Sequence, residues 1–103
     1  MITNFLKASS VAPDVIAQSV LDDGSIELFS GKVGNGFVIA GDNDEFAHFE
    51  FGSDDIVTLI STSANVDNSD TDGKLCIYDN GTAVTFKNRL GSTKIIRAWL
   101  NYL

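Results

Sequence analysis

The residues most suggestive of chemistry form the run Asn68-Ser69-Asp70-Thr71-Asp72-Gly73. It follows the opening of a calcium loop, D-x-[DN]-x-[DN]-G, with Asn in the first place. Calcium takes about six to eight oxygens, and Asp side chains alternating on a tight Gly turn can supply several. Leu75 falls on the apolar eighth position and Asp79 on the twelfth, so the motif's donors would be Asn68, Asp70, Asp72 and Asp79. Three departures count against it. Asp79 is shorter than the usual bidentate Glu, Asp67 is out of register, and the flanks read as strands rather than paired helices. The plainer reading is an Asp/Asn-rich loop before a strand. No metal or other cofactor is expected.

Other constellations are thinner. Asp22-Asp23, the group Asp42, Asp44 and Glu45, and Asp54-Asp55 all sit at turn-like positions. A glycosidase needs two carboxylates held across a cleft at a set separation, and turn acids are usually solvated. His48, the single His, can be drawn as a base for Ser53 or Cys76, but no nucleophile-elbow motif surrounds either. Cys76 alternates with Leu75 and Ile77 and reads as a small buried residue. Gly31-Lys32-Val33-Gly34-Asn35-Gly36 lacks phosphate-loop spacing and a following helix, so it reads as a hairpin or loop. Tyr78, Trp99 and Tyr102 could stack on a sugar, although packing in a core or interface is the commoner use of such rings. No catalytic residue is expected.

These residues ride on short strand-like runs. SIELFS covers 25–30, GFVIA 36–40, EFAHFEF 45–51, DIVTLIS 55–61, KLCIYD 74–79, TAVTFK 82–87 and TKIIRAWLNYL 93–103. They are rich in β-branched and aromatic residues, which suit a pleated, half-buried surface. Gly, Asn, Asp and Ser fill the gaps between them. Asn80-Gly81 predicts a two-residue type I′ hairpin turn. About seven short strands with close turns predict an all-β fold, a single small antiparallel β-sandwich or β-barrel.

In EFAHFEF, Ala47, Phe49 and Phe51 share one face, and Phe46, His48 and Glu50 share the other. In the last run, Ile96, Ala98, Leu100 and Tyr102 point one way. Ile95, Arg97, Trp99, Asn101 and Leu103 point the other, so both faces carry apolar residues. Either two layers of one subunit cover that strand, or one face meets another subunit. Residues 1–21 differ from the rest: they hold no Gly and the only Pro, Pro13. They predict an N-terminal arm, extended or a short helix after Pro13, before a β-domain over residues 22–103.

Composition narrows the function classes. The chain has 103 residues, 44% of them hydrophobic, which is one domain with ample core. One Cys and one His exclude a disulfide framework and a zinc finger. No apolar run reaches the roughly 20 residues of a membrane span. The start lacks a secretory-signal pattern. The net charge of −7 is a poor match for nucleic acid. The charge is uneven: after residue 72, Asp79 stands against Lys74, Lys87, Arg89, Lys94 and Arg97. A basic end on an acidic body could steer copies together, or the basic residues could be solvated outward positions.

The segment TDGKLCIYDNGTAVTFKNRLGSTKIIR, with GFVIAGDNDEFAHFEF upstream, resembles small β-rich virion proteins of tailed bacteriophages. The likeness covers most of residues 36–103 and lies in texture: a hairpin, an Asn-Arg-Leu-Gly turn and a last apolar strand. It implies a non-enzymatic structural role in the virion, as a capsid decoration (cement) protein or a fibre-like domain. It further implies a homo-oligomer, commonly a trimer, with the major capsid protein or other virion proteins as partners. Neither nucleic acid nor membrane is expected as a partner. The residues expected at such an interface are Phe5, Leu6, Val15 and Ile16 of the arm, and Arg97, Trp99 and Leu103 of the last strand. The competing class is a carbohydrate- or ligand-binding β-sandwich module, with or without calcium assistance.

Overall fold

The computed structural model describes residues 13–103. It holds nine strands: β1 (Pro13–Val20), β2 (Ser25–Phe29), β3 (Gly34–Ala40), β4 (Glu45–Phe51), β5 (Val57–Thr62), β6 (Val66–Asp67), β7 (Leu75–Asp79), β8 (Val84–Asn88) and β9 (Lys94–Tyr102). There is no helix among the described residues. The strands form a five-stranded sheet, β1-β9-β3-β4-β5, and a four-stranded sheet, β2-β8-β7-β6. All neighbours pair antiparallel except β6 and β7.

The all-β expectation is met, with two more strands than the sequence runs suggest. One addition is the two-residue β6. The other is β1, inside the stretch read as an arm. Its β-branched Val15, Ile16 and Val20 suit a pleated strand. Pro13 stands at its first position, where a missing N–H is tolerated. The whole of β1 pairs with β9, from Pro13 opposite Asn101 to Val20 opposite Lys94. Phe5 and Leu6 lie outside the described residues.

The core lies between the sheets. Val38, Phe49, Ile96 and Leu100 enter it from the five-stranded sheet, and Leu75, Ile77, Val84 and Phe86 from the four-stranded one. The Phe49 and Phe86 rings meet edge to face at 5.9 Å. That geometry sets the positive edge of one ring against the negative face of the other.

Two local readings are corrected. Gly34-Asn35-Gly36 is not a loop but the start of β3. A Cβ on Gly34 would stand 1.8 Å from the Asn101 carbonyl oxygen, so glycine lets β3 and β9 approach there. The Asn80-Gly81 pair does not form the centre of a type I′ turn. Of the residues between Asp79 and Val84, only Gly81 has a positive φ, at 95°. Asn80 N–H donates to the Ala83 carbonyl at 3.1 Å. The Asn80 side-chain oxygen accepts the N–H groups of Thr82 and Ala83, both at 2.9 Å. Asn80 thus closes the turn with its side chain instead of entering the left-handed region.

Candidate functional site

The two outer faces of the sandwich differ in what covers them. On the four-stranded sheet, the loop from Asn68 to Gly73 folds back over β7. Cys76 lies fully buried beneath it. The Thr71 N–H donates to Cys76 Sγ at 3.4 Å. Burial pushes the Cys76 thiol up from its ordinary range. Asp70 straps the loop down by ion pairs of 3.0 Å to both Lys87 and Arg89. Those two cations, Lys87 first, hold the Asp70 carboxyl below its usual range.

This placement bears on the calcium motif. Asp72 also faces Arg89, at 3.5 Å. Asn68 donates its side-chain N–H to the Val57 carbonyl. Asp79 lies at the far end of β7, where its carboxylate accepts the Gly81 N–H at 2.8 Å. Loop and twelfth position therefore do not converge. Among the described residues no group of three His, Cys, Asp or Glu side chains is spaced to hold a metal ion. His48 and Cys76 belong to different sheets and make no catalytic pair. Tyr78, Trp99 and Tyr102 do not gather into one cleft. Tyr102 packs on Phe29 at 5.1 Å and donates its hydroxyl to Asp14 at 2.7 Å. Trp99 faces outward on the other side of β9.

The outer face of the five-stranded sheet is bare of covering elements among the described residues. Strand register places Val15, Trp99, Phe37 and His48 in one row across it. Arg97, Ile39 and Phe46 form the next row. The Phe37 ring lies 5.9 Å from Trp99 and 6.5 Å from Phe46. Val15 is 69% exposed, Ile60 51%, Ile95 44% and Trp99 42%. A contiguous apolar and aromatic surface of this kind on a small domain marks an interaction site.

Toward the Asn101 end of the same face, a shallow pocket of about 460 Å³ opens. Asn35, Glu50, Asp54, Ile56, Thr58 and Leu103 are among its lining residues.

Of the residues expected at an interface, Phe5 and Leu6 lie outside the described residues. Val15 and Trp99 stand on the outer face. Arg97 stands there too, half-buried, and donates to the Gly41 carbonyl at 3.3 Å. Leu103 is 80% exposed beside the pocket. Ile16 points the other way and packs against the core. Phe37, Ile39, Phe46 and Ile60 belong to the surface although the sequence reading did not single them out for it. The alternation of EFAHFEF already sets Phe46 opposite Phe49, and GFVIA sets Phe37 and Ile39 opposite Val38. That period was the available signal.

The uneven charge of the sequence does not become a basic pole. Lys87 and Arg89 pair with Asp70, Arg89 also with Asp23 and Asp72, and Lys94 with Asp44. The late basic residues largely answer the early acids inside one chain. No family model, curated protein or solved structure matches the chain.

Proposed function

We propose that the protein is a non-enzymatic structural protein that works by association, burying the outer face of its five-stranded sheet between copies of itself. Following the resemblance in its sequence, we assign it to the virion of a tailed phage. There it is a capsid decoration protein that stabilises the head, with the major capsid protein or another virion protein as partner. The observation that carries this reading is the contrast between the two outer faces. One is strapped under the chain's own loop. The other presents Trp99, Phe37, Phe46, Val15 and Ile60 to solvent. Exposed apolar area of that kind loses about 25 cal/mol per Å² when buried, so association is favoured. The trimeric state comes from the resemblance alone.

Light scattering on the purified chain at micromolar concentration tests the reading. The expected result is a mass that is a multiple of 11.1 kDa. Trp99→Asp combined with Phe37→Asp should reduce it while far-UV circular dichroism stays β-rich. A wild-type chain that stays at 11.1 kDa as concentration rises overturns self-association.

The pocket beside Asn35, Glu50 and Asn101 favours a second reading, a carbohydrate-binding module. Polar side chains beside exposed rings suit a sugar. A glycan-dependent rise in melting temperature, abolished by Glu50→Ala, would support it over the first.

A further inference from the structure

We infer that β1 is a pairing edge, on which a second copy of the chain adds its own β1 antiparallel about a two-fold axis at Ala17. This rests on the self-associating function proposed above and names a contact that reading does not contain.

Among the described residues the sandwich has four edge strands: β1, β5, β2 and β6. Three carry the devices that discourage edge pairing. In β5 the register with β4 shifts between His48 and Phe49. In β2 the register with β8 shifts between Glu27 and Phe29. The β6 strand is two residues long. The β1 strand has neither a register shift nor such shortness, and Pro13 and Asp14 blunt only its first two positions. It runs eight residues in unbroken register, and Asp14 is its only charge. Nothing among the described residues pairs with its outer side.

Gly41 N–H donates to the Ile95 carbonyl at 2.9 Å, so Ile95 turns its backbone groups toward β3. Leu103 N–H likewise donates to Val33. Alternate residues of an antiparallel strand turn to opposite neighbours. Ile96, Ala98 and Leu100 therefore turn to β1, where they face Gln18, Ile16 and Asp14. The residues between these, Val15, Ala17 and Ser19, direct their N–H and C=O groups away from β9, to the open edge.

This pattern is self-complementary about Ala17. A copy related by a two-fold axis there sets Val15 opposite Ser19 and Ala17 opposite Ala17. Every outward donor of the three residues then finds an acceptor. Asp14 falls opposite Val20, so the two carboxylates lie at opposite ends and do not oppose each other. An axis at Ile16 is poorer, because it sets Pro13, which has no N–H, opposite Ser19. Side chains on the same face stay on the same face across the join. The row of Val15, Trp99 and Phe37 would thus continue into its copy, giving ten strands with one doubled apolar surface.

A two-fold edge combined with burial of the outer face builds dihedral assemblies, so the number of copies is even, in place of the simple trimer that the resemblance implies. The test uses the full chain. Light scattering should give an even multiple of 11.1 kDa. Ala17→Pro should halve that mass. Its N–H points away from β9, so the fold keeps its ladder. Ala17→Lys and Ala17→Glu should each break the edge, since like charges face across the axis, and mixing the two should restore the even mass; Ala17 shares the outer-face row of Arg97 and Ile39, so this rescue is what singles out the edge. Ala17→Cys should cross-link under mild oxidant, since directly paired Cα atoms lie about 5.5 Å apart, within disulfide range. The native Cys76 is buried and does not compete. An odd assembly such as a trimer, or a mass indifferent to Ala17→Pro and Ala17→Lys, overturns the edge contact and leaves the proposed function standing. An even mass sensitive to Ala17 but indifferent to Trp99→Asp upholds the edge and overturns burial of the face. A monomeric wild-type chain overturns both.

Discussion

The Asn88 side-chain amide donates to the Val20 carbonyl at 3.0 Å, joining the last residue of β8 in one sheet to the last residue of β1 in the other. The same nitrogen donates to the Ser92 carbonyl at 2.8 Å, and Asn88 Oδ1 accepts the Leu90 N–H at 3.0 Å. Asn88 is 1% exposed, so these groups have no ready replacement in water. Asn88→Ala should lower stability by about 2–3 kcal/mol, the cost of leaving buried partners unpaired. Asn88→Asp should be worse, since it removes the donor and buries a charge. Urea unfolding of the two variants against wild type measures both.

Two glycines of β3 should differ in what they tolerate. A Cβ on Gly34 meets the backbone oxygen of Asn101 at 1.8 Å, whereas one on Gly36 meets the ends of the Leu100 and Phe49 side chains at 2.7 Å. Side-chain ends can shift within a core at about 1–3 kcal/mol. A backbone held in a ladder cannot shift without parting the strands. Gly34→Ala should therefore destabilise more than Gly36→Ala, and should speed amide exchange at the Tyr102 end of β9.

The pH dependence should have two limbs. Lys87 and Arg89 lower the Asp70 pKa below its ordinary 3.8, so the unfolded chain binds the proton more readily. That contribution is present above pH 3.8 and is lost as pH falls through the folded value. Burial, then the hydrogen bond to Asp14, raises the Tyr102 phenol above its ordinary 10.0. Its contribution is full below pH 10.0 and is lost as pH rises above it. Asp70→Asn should flatten the acid limb, more so at low salt because the ion pairs are exposed. Tyr102→Phe should flatten the alkaline limb. Thermal melts between pH 2.5 and 11 would show both.

Cys76 should resist alkylation while the loop from Asn68 to Gly73 stays down. Its thiol is buried and raised in pKa, and the thiolate is the reactive form. Asp70→Ala removes the straps to Lys87 and Arg89 and should speed labelling several-fold without global unfolding. Equal labelling rates in wild type and variant would mean the ion pairs do not hold the loop.

Strand character was legible because it is local. Alternation in EFAHFEF sorted Phe49 and Phe51 from Phe46 and His48, and the side chains are buried and exposed in that order. The same period separated Ile96, Ala98 and Leu100 from Trp99. Composition alone excluded a disulfide or zinc scaffold. Neighbours remote in sequence decided the rest. Only pairing with β9, from Pro13 opposite Asn101 to Val20 opposite Lys94, makes the end of the N-terminal stretch a strand of the sheet. Whether the second face of β9 was covered could not be read from its own residues. It depended on whether another segment crossed it, and among the described residues the segment that covers a sheet, around Asp70, lies on the opposite side of the sandwich. The Asp-rich run matched a calcium loop in spacing. Its carboxylates went instead to Lys87 and Arg89, cations that β8 and the turn after it bring alongside. A side chain's period is written in its own few residues, but its partner is set by which strands the fold brings together.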